Sequence, residues 1–183
     1  DALVYHFTSR GSRFNKHAGG AAGKNSEEWL YTTNKNGREF IRKWGHFIKH
    51  DQYMKPIIPP KYDVGIIVKN CSQELLHALE PWGSTIYTDA DYMKYITLEQ
   101  PNTKFDLRNR IKPYDNEKQN DILVEINGEN FTQEDFIYIQ QLTEILDDSI
   151  FLEEDMGEQF EVGNLTLTIN NITTYEKELI CAS

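Results

Sequence analysis

The sequence has no long apolar run, few cysteines and a shortage of positive charge. No stretch approaches the roughly 20 consecutive apolar residues that a membrane-spanning helix needs. Its two cysteines, Cys71 and Cys181, lie far apart and form neither a metal-type spacing nor a disulfide framework. The formal net charge of −10 argues against a nucleic-acid partner for the chain as a whole. These features together favour a reducing, cytoplasmic setting without a membrane span.

The composition is sufficient for a folded core. The chain has 183 residues, of which 39% are hydrophobic, and it includes 10 Tyr, 9 Phe and 3 Trp. That length is enough for one average domain, or for one domain with a sizeable appendage.

The charge is distributed unevenly along the chain. Residues 1–62 contain 11 Lys and Arg against 5 Asp and Glu, a net charge of +6, whereas residues 63–183 contain 8 against 24, a net charge of −16. Such an asymmetry indicates two parts with different roles. The stretch MKPIIPPKY at 54–62, with three prolines, predicts a stiff extended connection at the same place. We therefore place a domain boundary between residues 62 and 63.

The first part predicts an irregular and helical arm. Residues 1–7 are strand-like, and the small, polar, glycine-rich residues 15–28 are typical of an exposed loop. Apolar side chains between Phe40 and Ile48 share one helical face, which predicts a helix over 36–51.

The second part alternates strand and helix signals. VGIIV at 64–68 predicts a buried strand, and Ser72 is a good N-cap for a helix that Pro81 ends. STIYT at 84–88 predicts the next strand, and a short helix follows around 91–98.

Two turn signals and one long helix follow. Residues 121–126 predict a strand that ends at Asn127-Gly128, the strongest hairpin signal in the chain. Thr132 and Asp135 form a capping-box pattern that opens a helix over 133–146. A further hairpin is predicted at 160–169. The fold class that this order favours is α+β, a mostly antiparallel sheet with helices packed on one face.

The apolar positions of these elements predict the core. We expect the following side chains to be buried: Val64, Ile66, Val68, Leu75, Leu76, Leu79, Ile86, Leu123, Phe136, Ile139, Leu142, Leu167 and Ile169.

Three patterns suggest chemistry, and each also has a structural interpretation. The stretch GGAAGKNS at 19–26 resembles a phosphate loop but lacks its first glycine and its hydroxyl residue, so a flexible loop is favoured. Asp89 and Asp91 could together hold Mg²⁺ or Mn²⁺, although Asp89 is better explained as the cap of a helix that begins near Asp91. His46 and His50 are four residues apart, yet the glutamate of a metalloprotease motif is absent, which favours a structural role.

The opening stretch VYHFTSRGSRF contains the remaining candidate cluster. A neutral imidazole such as His6 can bind a divalent cation, and the guanidinium groups of Arg10 and Arg13 can hold a diphosphate by forked hydrogen bonds. Residue chemistry alone supports two interpretations equally: the three side chains form this site, or they are simply exposed residues at a chain terminus.

The same stretch resembles the end of the catalytic domain in family 2 glycosyltransferases of the GT-A fold. The close match covers about the first 14 residues, and the remainder is similar in a general way to the C-terminal extension of some of these enzymes. The resemblance implies that His6 completes the shell of a Mn²⁺ or Mg²⁺ ion. It also implies that Arg10 and Arg13 face the diphosphate of a nucleotide-sugar.

The resemblance also implies what else the enzyme needs. The nucleotide-binding half, its Asp-x-Asp motif and the catalytic base should all precede His6, so we expect the 183-residue chain to be inactive alone and to bind no cofactor. Residues 1–62 would then be the tail of the catalytic domain plus a connecting arm, and 63–183 an accessory domain for a glycan acceptor or for self-association. The alternative is a non-catalytic binding module. A small metal-dependent enzyme centred on Asp89 and Asp91 is a third hypothesis.

Overall fold

The computed structural model describes residues 27–148, 156–172 and 174–175. The chain divides into two compact units, residues 1–38 and 39–183. The predicted opening strand and residues 15–26 of the predicted loop lie outside the described residues. This division does not test the predicted domain boundary between residues 62 and 63, which stays a prediction.

Helix α1 spans Glu27–Trp44 and has charges that suit its dipole. Glu27 and Glu28 lie in its first turn and Arg42 and Lys43 in its last, each stabilising the nearer end of the helix. The helix ends at Gly45, whose φ of +78° is readily accessible to glycine and whose N–H donates to Ile41 O (2.7 Å). The predicted helix over 36–51 is therefore wrong at both ends. The apolar pattern continues through Phe47 and Ile48, beyond the end of the helix, but Gly45 terminates the helix itself.

Lys61 also closes the end of α1. Its ammonium group donates to Arg42 O (2.9 Å) and to Lys43 O (3.0 Å), two carbonyls that lack partners within the helix. Burial, and to a smaller extent the neighbouring Arg110, lower the pKa of Lys61 to about 8, because the opposing effect of Asp63 is weaker.

Within the described residues, ten strands and four further helices follow α1. The strands are β1 (Lys49–His50), β2 (Pro56–Ile57), β3 (Lys61–Tyr62), β4 (Val64–Lys69), β5 (Thr85–Thr88), β6 (Ile111–Pro113), β7 (Ile122–Asn127), β8 (Gln159–Val162), β9 (Leu165–Ile169) and β10 (Thr174–Tyr175). The helices are α2 (Gln73–Leu79), α3 (Tyr92–Glu99), α4 (Leu107–Arg110) and α5 (Gln133–Asp148), and single 3₁₀ turns follow α2 and α3.

Six of these strands form one mixed sheet in the order β6-β5-β4-β7-β9-β8. The first four strands in that order are parallel, with Ile66 of β4 beside Ile86 of β5 and Val124 of β7. The hairpin of β8 and β9 adds to β7 in antiparallel orientation. The short pairs β1–β2 and β3–β10 are also antiparallel. Counted over all three sheets, four of the seven strand pairings are antiparallel and three are parallel.

The helices cover one face of this sheet. Ile66, Val68 and Val124 point to the face where the apolar side chains of α2, α3 and α5 complete a single core cluster. On the opposite face, the cross-strand row of Glu125, Thr166 and Glu161 is partly or fully exposed. The connection from β6 to β7, residues 114–121, contains no helix. The predicted α+β class, with helices on one face, is confirmed.

Most of the local predictions are also confirmed. Ser72 accepts a hydrogen bond from Leu75 N–H (3.1 Å) at the start of α2, and the hairpin turns at Gly163-Asn164. Ten of the thirteen predicted core residues are buried; the exceptions, Leu75, Leu123 and Phe136, are partly buried. The turn Asn127-Gly128 was predicted wrongly, because it leads from β7 into α5 and not into a second hairpin strand.

The capping box at the start of α5 also contacts the β8–β9 turn, which the sequence pattern does not indicate. Asp135, only 1% exposed, accepts hydrogen bonds from Thr132 N–H (2.8 Å) and Thr132 Oγ1–H (2.7 Å). It also accepts from Asn164 N–H (2.9 Å) and Asn164 Nδ2–H (3.0 Å), which ties the helix to the β8–β9 turn. Burial alone would raise the pKa of Asp135, but these hydrogen bonds outweigh it and lower the pKa to about 2.

We expect Asp135→Asn to lower the free energy of unfolding by about 1–2 kcal/mol at neutral pH. Because the folded pKa lies below the ordinary value of 3.8, the contribution of Asp135 is complete above that value and is lost as the pH falls through about 2. Urea titrations of both proteins at several pH values measure this difference. Asp115→Asn, at an exposed aspartate, is the matched control. Equal stability of Asp135→Asn and the control at neutral pH would contradict the assignment.

Candidate functional site

The candidate site lies where the central parallel strands end. From β4 the chain moves through β5 to β6 on one side, whereas β7 lies on the other side of β4. Strand order therefore reverses between β4 and β7. In open sheets with parallel strands, ligands bind outside the carboxyl ends of the strands at such a reversal. The loops after β4, β5 and β7 form this carboxyl edge.

Asp89 joins two of these loops. Its carboxylate accepts hydrogen bonds from Asn70 N–H (2.7 Å) and Cys71 N–H (3.0 Å), so that the end of β5 is tied to the loop between β4 and α2. Both oxygens of the carboxylate are engaged in this way. Asp89 therefore organises the edge of the sheet as an acceptor for backbone amides.

Asp91 has a different role, as the N-cap of α3. Its Oδ1 accepts a hydrogen bond from Lys94 N–H (3.3 Å), and its carbonyl accepts one from Gln73 Nε2–H (3.0 Å). The two carboxylates of the Asp-x-Asp pattern thus serve separate structural contacts. The residue that caps α3 is Asp91, however, and not Asp89, for which the sequence predicted that role. Within the described residues, no group of three or more His, Cys, Asp or Glu side chains is placed to hold a metal ion.

Asn70, Asn127 and Gly128 bring the ends of β4 and β7 together. Asn70 Nδ2–H donates to Asn127 Oδ1 (3.1 Å), and Gly128 N–H donates to Lys69 O (2.8 Å). Asn70 adopts a positive φ of 54°, which asparagine tolerates better than most residues. A Cβ atom on Gly128 would lie 2.3 Å from Asn70 O, so only glycine permits this approach.

Cys71 lies beside this junction but is not activated. Burial raises the pKa of its thiol, and the negative charge of Asp89 raises it further. A hydrogen bond with Thr88 lowers it by less, so the thiol remains protonated at neutral pH. A nucleophilic cysteine requires the opposite environment.

Of the remaining predicted site residues, His46 and His50 lie within the described residues. His6, Arg10, Arg13 and the phosphate-loop-like residues 19–26 lie outside the described residues. His46 is buried with Nδ1 2.5 Å from Phe47 O, whereas His50 is exposed with Nδ1 3.2 Å from Asp51 O. Since the helix ends before both histidines, their spacing of four does not put them on one helical face.

Sequence reasoning missed a buried ionic cluster. Glu80, fully buried, accepts hydrogen bonds from Arg42 Nε–H (3.0 Å), Arg42 Nη2–H (2.6 Å), Arg110 Nε–H (2.9 Å) and Tyr95 Oη–H (3.0 Å). Arg42 Nη2 also lies 2.5 Å from Glu99 Oε1. Burial alone would raise the pKa of Glu80, but the two arginines lower it. No sequence motif marks these residues, because each is of a type that is usually exposed.

The ionic cluster has no room for a ligand of substrate size. A cavity of about 20 Å³ lies next to it, lined in part by Arg42, Lys61 and Trp82. That volume holds about one water molecule. The cluster is accordingly a structural element, and the carboxyl edge is the better candidate site.

The exposed groups at the carboxyl edge are amides, a hydroxyl, carboxylates and the ammonium group of Lys69 at the end of β4. They include the side chains of Asn70, Ser72, Asn127, Glu129 and Asn130. Such groups donate and accept hydrogen bonds without a concentrated charge, which suits a neutral, hydroxyl-rich ligand better than a phosphate. Among the described helices none is long and apolar enough to cross a membrane. No protein-family model, curated protein or solved structure gives a significant match to the chain.

Proposed function

We propose that the chain belongs to a nucleotide-sugar-dependent glycosyltransferase of family 2, a cytoplasmic enzyme that transfers a sugar to a glycan acceptor. The observation that carries this proposal is the stretch VYHFTSRGSRF, in which a histidine and two arginines follow a strand-like run in the order found at the end of GT-A catalytic domains. The two sequence halves of opposite charge further support a catalytic tail followed by an accessory domain.

His6, Arg10 and Arg13 have distinct roles in this proposal. His6 is a ligand of a divalent cation, Mn²⁺ or Mg²⁺, which supplies charge stabilisation for the departing diphosphate. Arg10 and Arg13 bind the diphosphate oxygens through forked hydrogen bonds. The nucleotide-binding half and the catalytic base are proposed to be encoded upstream of Asp1, so that the enzyme is assembled from both parts.

The unit of residues 39–183 is proposed to bind the acceptor at its carboxyl edge. Sugar hydroxyls both donate and accept hydrogen bonds, and the exposed amides of Asn70 and Asn127 offer both functions. The chain carries its negative charge mainly in this part, which favours a neutral glycan over a polyanionic acceptor.

The metal role of His6 is tested in the protein encoded by the whole reading frame. We expect His6→Ala to lower the rate of sugar transfer by about 10- to 100-fold and to raise the Mn²⁺ concentration needed for half-maximal rate, because a ligand is lost from the ion. The assay follows a labelled sugar from nucleotide-sugar to acceptor while Mn²⁺ is titrated.

His17→Ala is the matched control, since it removes a histidine that is close in sequence but has no proposed role. The control should retain the wild-type rate and Mn²⁺ dependence. A His6→Ala enzyme indistinguishable from this control would remove the metal assignment.

A further inference from the structure

The side-chain amides of Asn70 and Asn127 are each held in one orientation at the carboxyl edge. Asn127 Oδ1 accepts a hydrogen bond from Glu129 N–H (3.1 Å). Because a backbone N–H can only donate, the oxygen of the Asn127 amide, and not its nitrogen, must lie at this position. The same oxygen accepts a hydrogen bond from Asn70 Nδ2–H (3.1 Å), which fixes the orientation of the second amide as well.

These orientations determine which hydrogen-bonding groups the two amides still offer. Asn70 retains Oδ1 as an acceptor and one N–H of Nδ2 as a donor, and Asn127 retains both N–H groups of its Nδ2. Both side chains are exposed, and nothing pairs with these groups in the part of the chain that the structure describes. The pair therefore presents three N–H donors beside one oxygen acceptor.

The backbone that carries the two amides is fixed by contacts across the edge. The Asp89 carboxylate accepts a hydrogen bond from Asn70 N–H (2.7 Å), and Gly128 N–H donates to Lys69 O (2.8 Å). The second contact holds Asn127 beside the end of β4, where it is paired in register with Lys69. Because this backbone is ordered before a ligand arrives, binding does not have to pay for its ordering.

The charges around the pair are of both signs. Lys69 ends β4, and Lys94 lies in the first turn of α3. Asp89, Asp91 and Glu129 lie in the loops that follow β5 and β7. An anionic ligand would face these carboxylates, and it would have no proton to donate to the oxygen acceptor of the pair. A neutral ligand therefore fits better than an anion.

Two neighbouring hydroxyl groups match the pattern of donors and acceptors. Each hydroxyl has one proton to donate and two lone pairs that accept, so two hydroxyls can serve all three N–H groups and still donate to Asn70 Oδ1. A secondary amide also has one proton to donate, but its single carbonyl has only two lone pairs for the three N–H groups. The pattern thus favours two hydroxyls on adjacent carbons, a vicinal diol, over an amide.

We propose that Asn70 and Asn127 form a recognition site for a vicinal diol, and that Asp89 is the positioning residue of this site. The proposal rests on the acceptor role proposed above for the carboxyl edge. It narrows the acceptor to a neutral glycan that has free hydroxyls on adjacent carbons. Asp89 acts through the backbone of Asn70, whose side-chain amide contacts the diol.

The ligand preference is tested by binding to the 183-residue chain, without any sugar transfer. The probes are the methyl pyranosides of glucose, mannose and galactose and the 3-deoxy form of each, which has no two hydroxyls on adjacent carbons. Nuclear magnetic resonance follows the side-chain N–H signals of Asn70 and Asn127 during the titration. We expect at least one of the three glycosides to shift both signals, and its 3-deoxy form to bind about tenfold more weakly through the loss of one or two hydrogen bonds.

The positioning role is tested with Asp89→Asn. An amide cannot accept from both Asn70 N–H and Cys71 N–H, so Asn70 is held less firmly, and the preference for the glycoside over its 3-deoxy form should fall from about tenfold to about threefold or less. Asp91→Asn removes an equal charge at the cap of α3 and should keep the full preference. A merely structural defect would weaken the binding of both sugars alike and leave their ratio unchanged.

The outcomes that contradict each part are distinct. The diol assignment would be overturned by no shift with any of the three glycosides, by equal binding of a glycoside and its 3-deoxy form, or by shifts with N-methylacetamide in place of the glycosides. An unchanged preference in Asp89→Asn would overturn the positioning role. A chain that binds the diol, within a whole protein that transfers no sugar, would contradict the proposed function alone.

Discussion

Glu80→Gln is expected to lower the free energy of unfolding by about 3–5 kcal/mol. The carboxylate of Glu80 lies between the guanidinium groups of Arg42 and Arg110 and is fully buried. The neutral amide would leave both arginines without their shared counter-charge, and Tyr95 Oη–H would lose a charged acceptor. Removal of one partner from a buried ionic network costs more than the network contributes when complete, because the remaining charges stay buried.

Urea unfolding, monitored by tryptophan fluorescence, measures this loss of stability. Trp82 serves as the probe because it is buried and comes soon after Glu80 in the sequence. Glu158→Gln removes an equal charge at an exposed position and should change the free energy of unfolding by less than about 0.5 kcal/mol. If Glu80→Gln is no less stable than Glu158→Gln, the ionic cluster does not stabilise the fold.

Gly128→Ala is the second substitution with a large expected effect, a loss of about 2–3 kcal/mol. The added methyl group would lie 2.3 Å from Asn70 O and 3.0 Å from the Leu75 side chain. Because the first of these contacts is with backbone, no change of rotamer relieves it, and the ends of β4 and β7 must separate. Thermal or urea unfolding measures the loss of stability.

The same substitution, glycine to alanine, should raise stability instead of lowering it elsewhere in the chain. Gly37→Ala lies within α1, and its methyl group would meet nothing within 4 Å. It should stabilise the helix by about 0.5–1 kcal/mol. No loss of stability in Gly128→Ala would contradict the packing described at the carboxyl edge. A loss of stability in Gly37→Ala would contradict the open surroundings of Gly37 in α1.

Elements whose signals are local were predicted best from sequence. The N-cap at Ser72, the capping box at Thr132 and Asp135, and the turn at Gly163-Asn164 each depend on residues within a few positions. Helix α1 was predicted less well, because periodic apolar residues continue past Gly45 and conceal the helix end. The fold class and the longer elements from β4 to β9 were thus predictable, whereas the short elements β1, β2, β3, α4, β6 and β10 were not predicted. The end of α1 depended on a single backbone conformation, and its start was also missed.

Contacts between distant residues were not predictable in the same way. Asn127-Gly128 has the composition of a hairpin turn, yet the partner that requires glycine there is Asn70, in another loop. The pairing of Arg42 with Glu80 likewise depends on helix packing across many residues. At the candidate site, the sequence indicated Asp89 as a helix cap, but in the structure Asp91 caps α3. The role of Asp89 between two loops could not be predicted without the sheet order.

The most direct test of the proposed transferase is sugar transfer by the protein encoded by the whole reading frame, measured against the 183-residue chain. The account predicts Mn²⁺-dependent transfer from a nucleotide-sugar to a glycan by the whole protein, and none by the 183-residue chain. It also predicts that Asn127→Ala raises the acceptor KM by about tenfold, the effect of one or two lost hydrogen bonds, with the nucleotide-sugar KM unchanged. A whole protein that transfers no sugar, or a reading frame that begins near Asp1, would contradict the central claim.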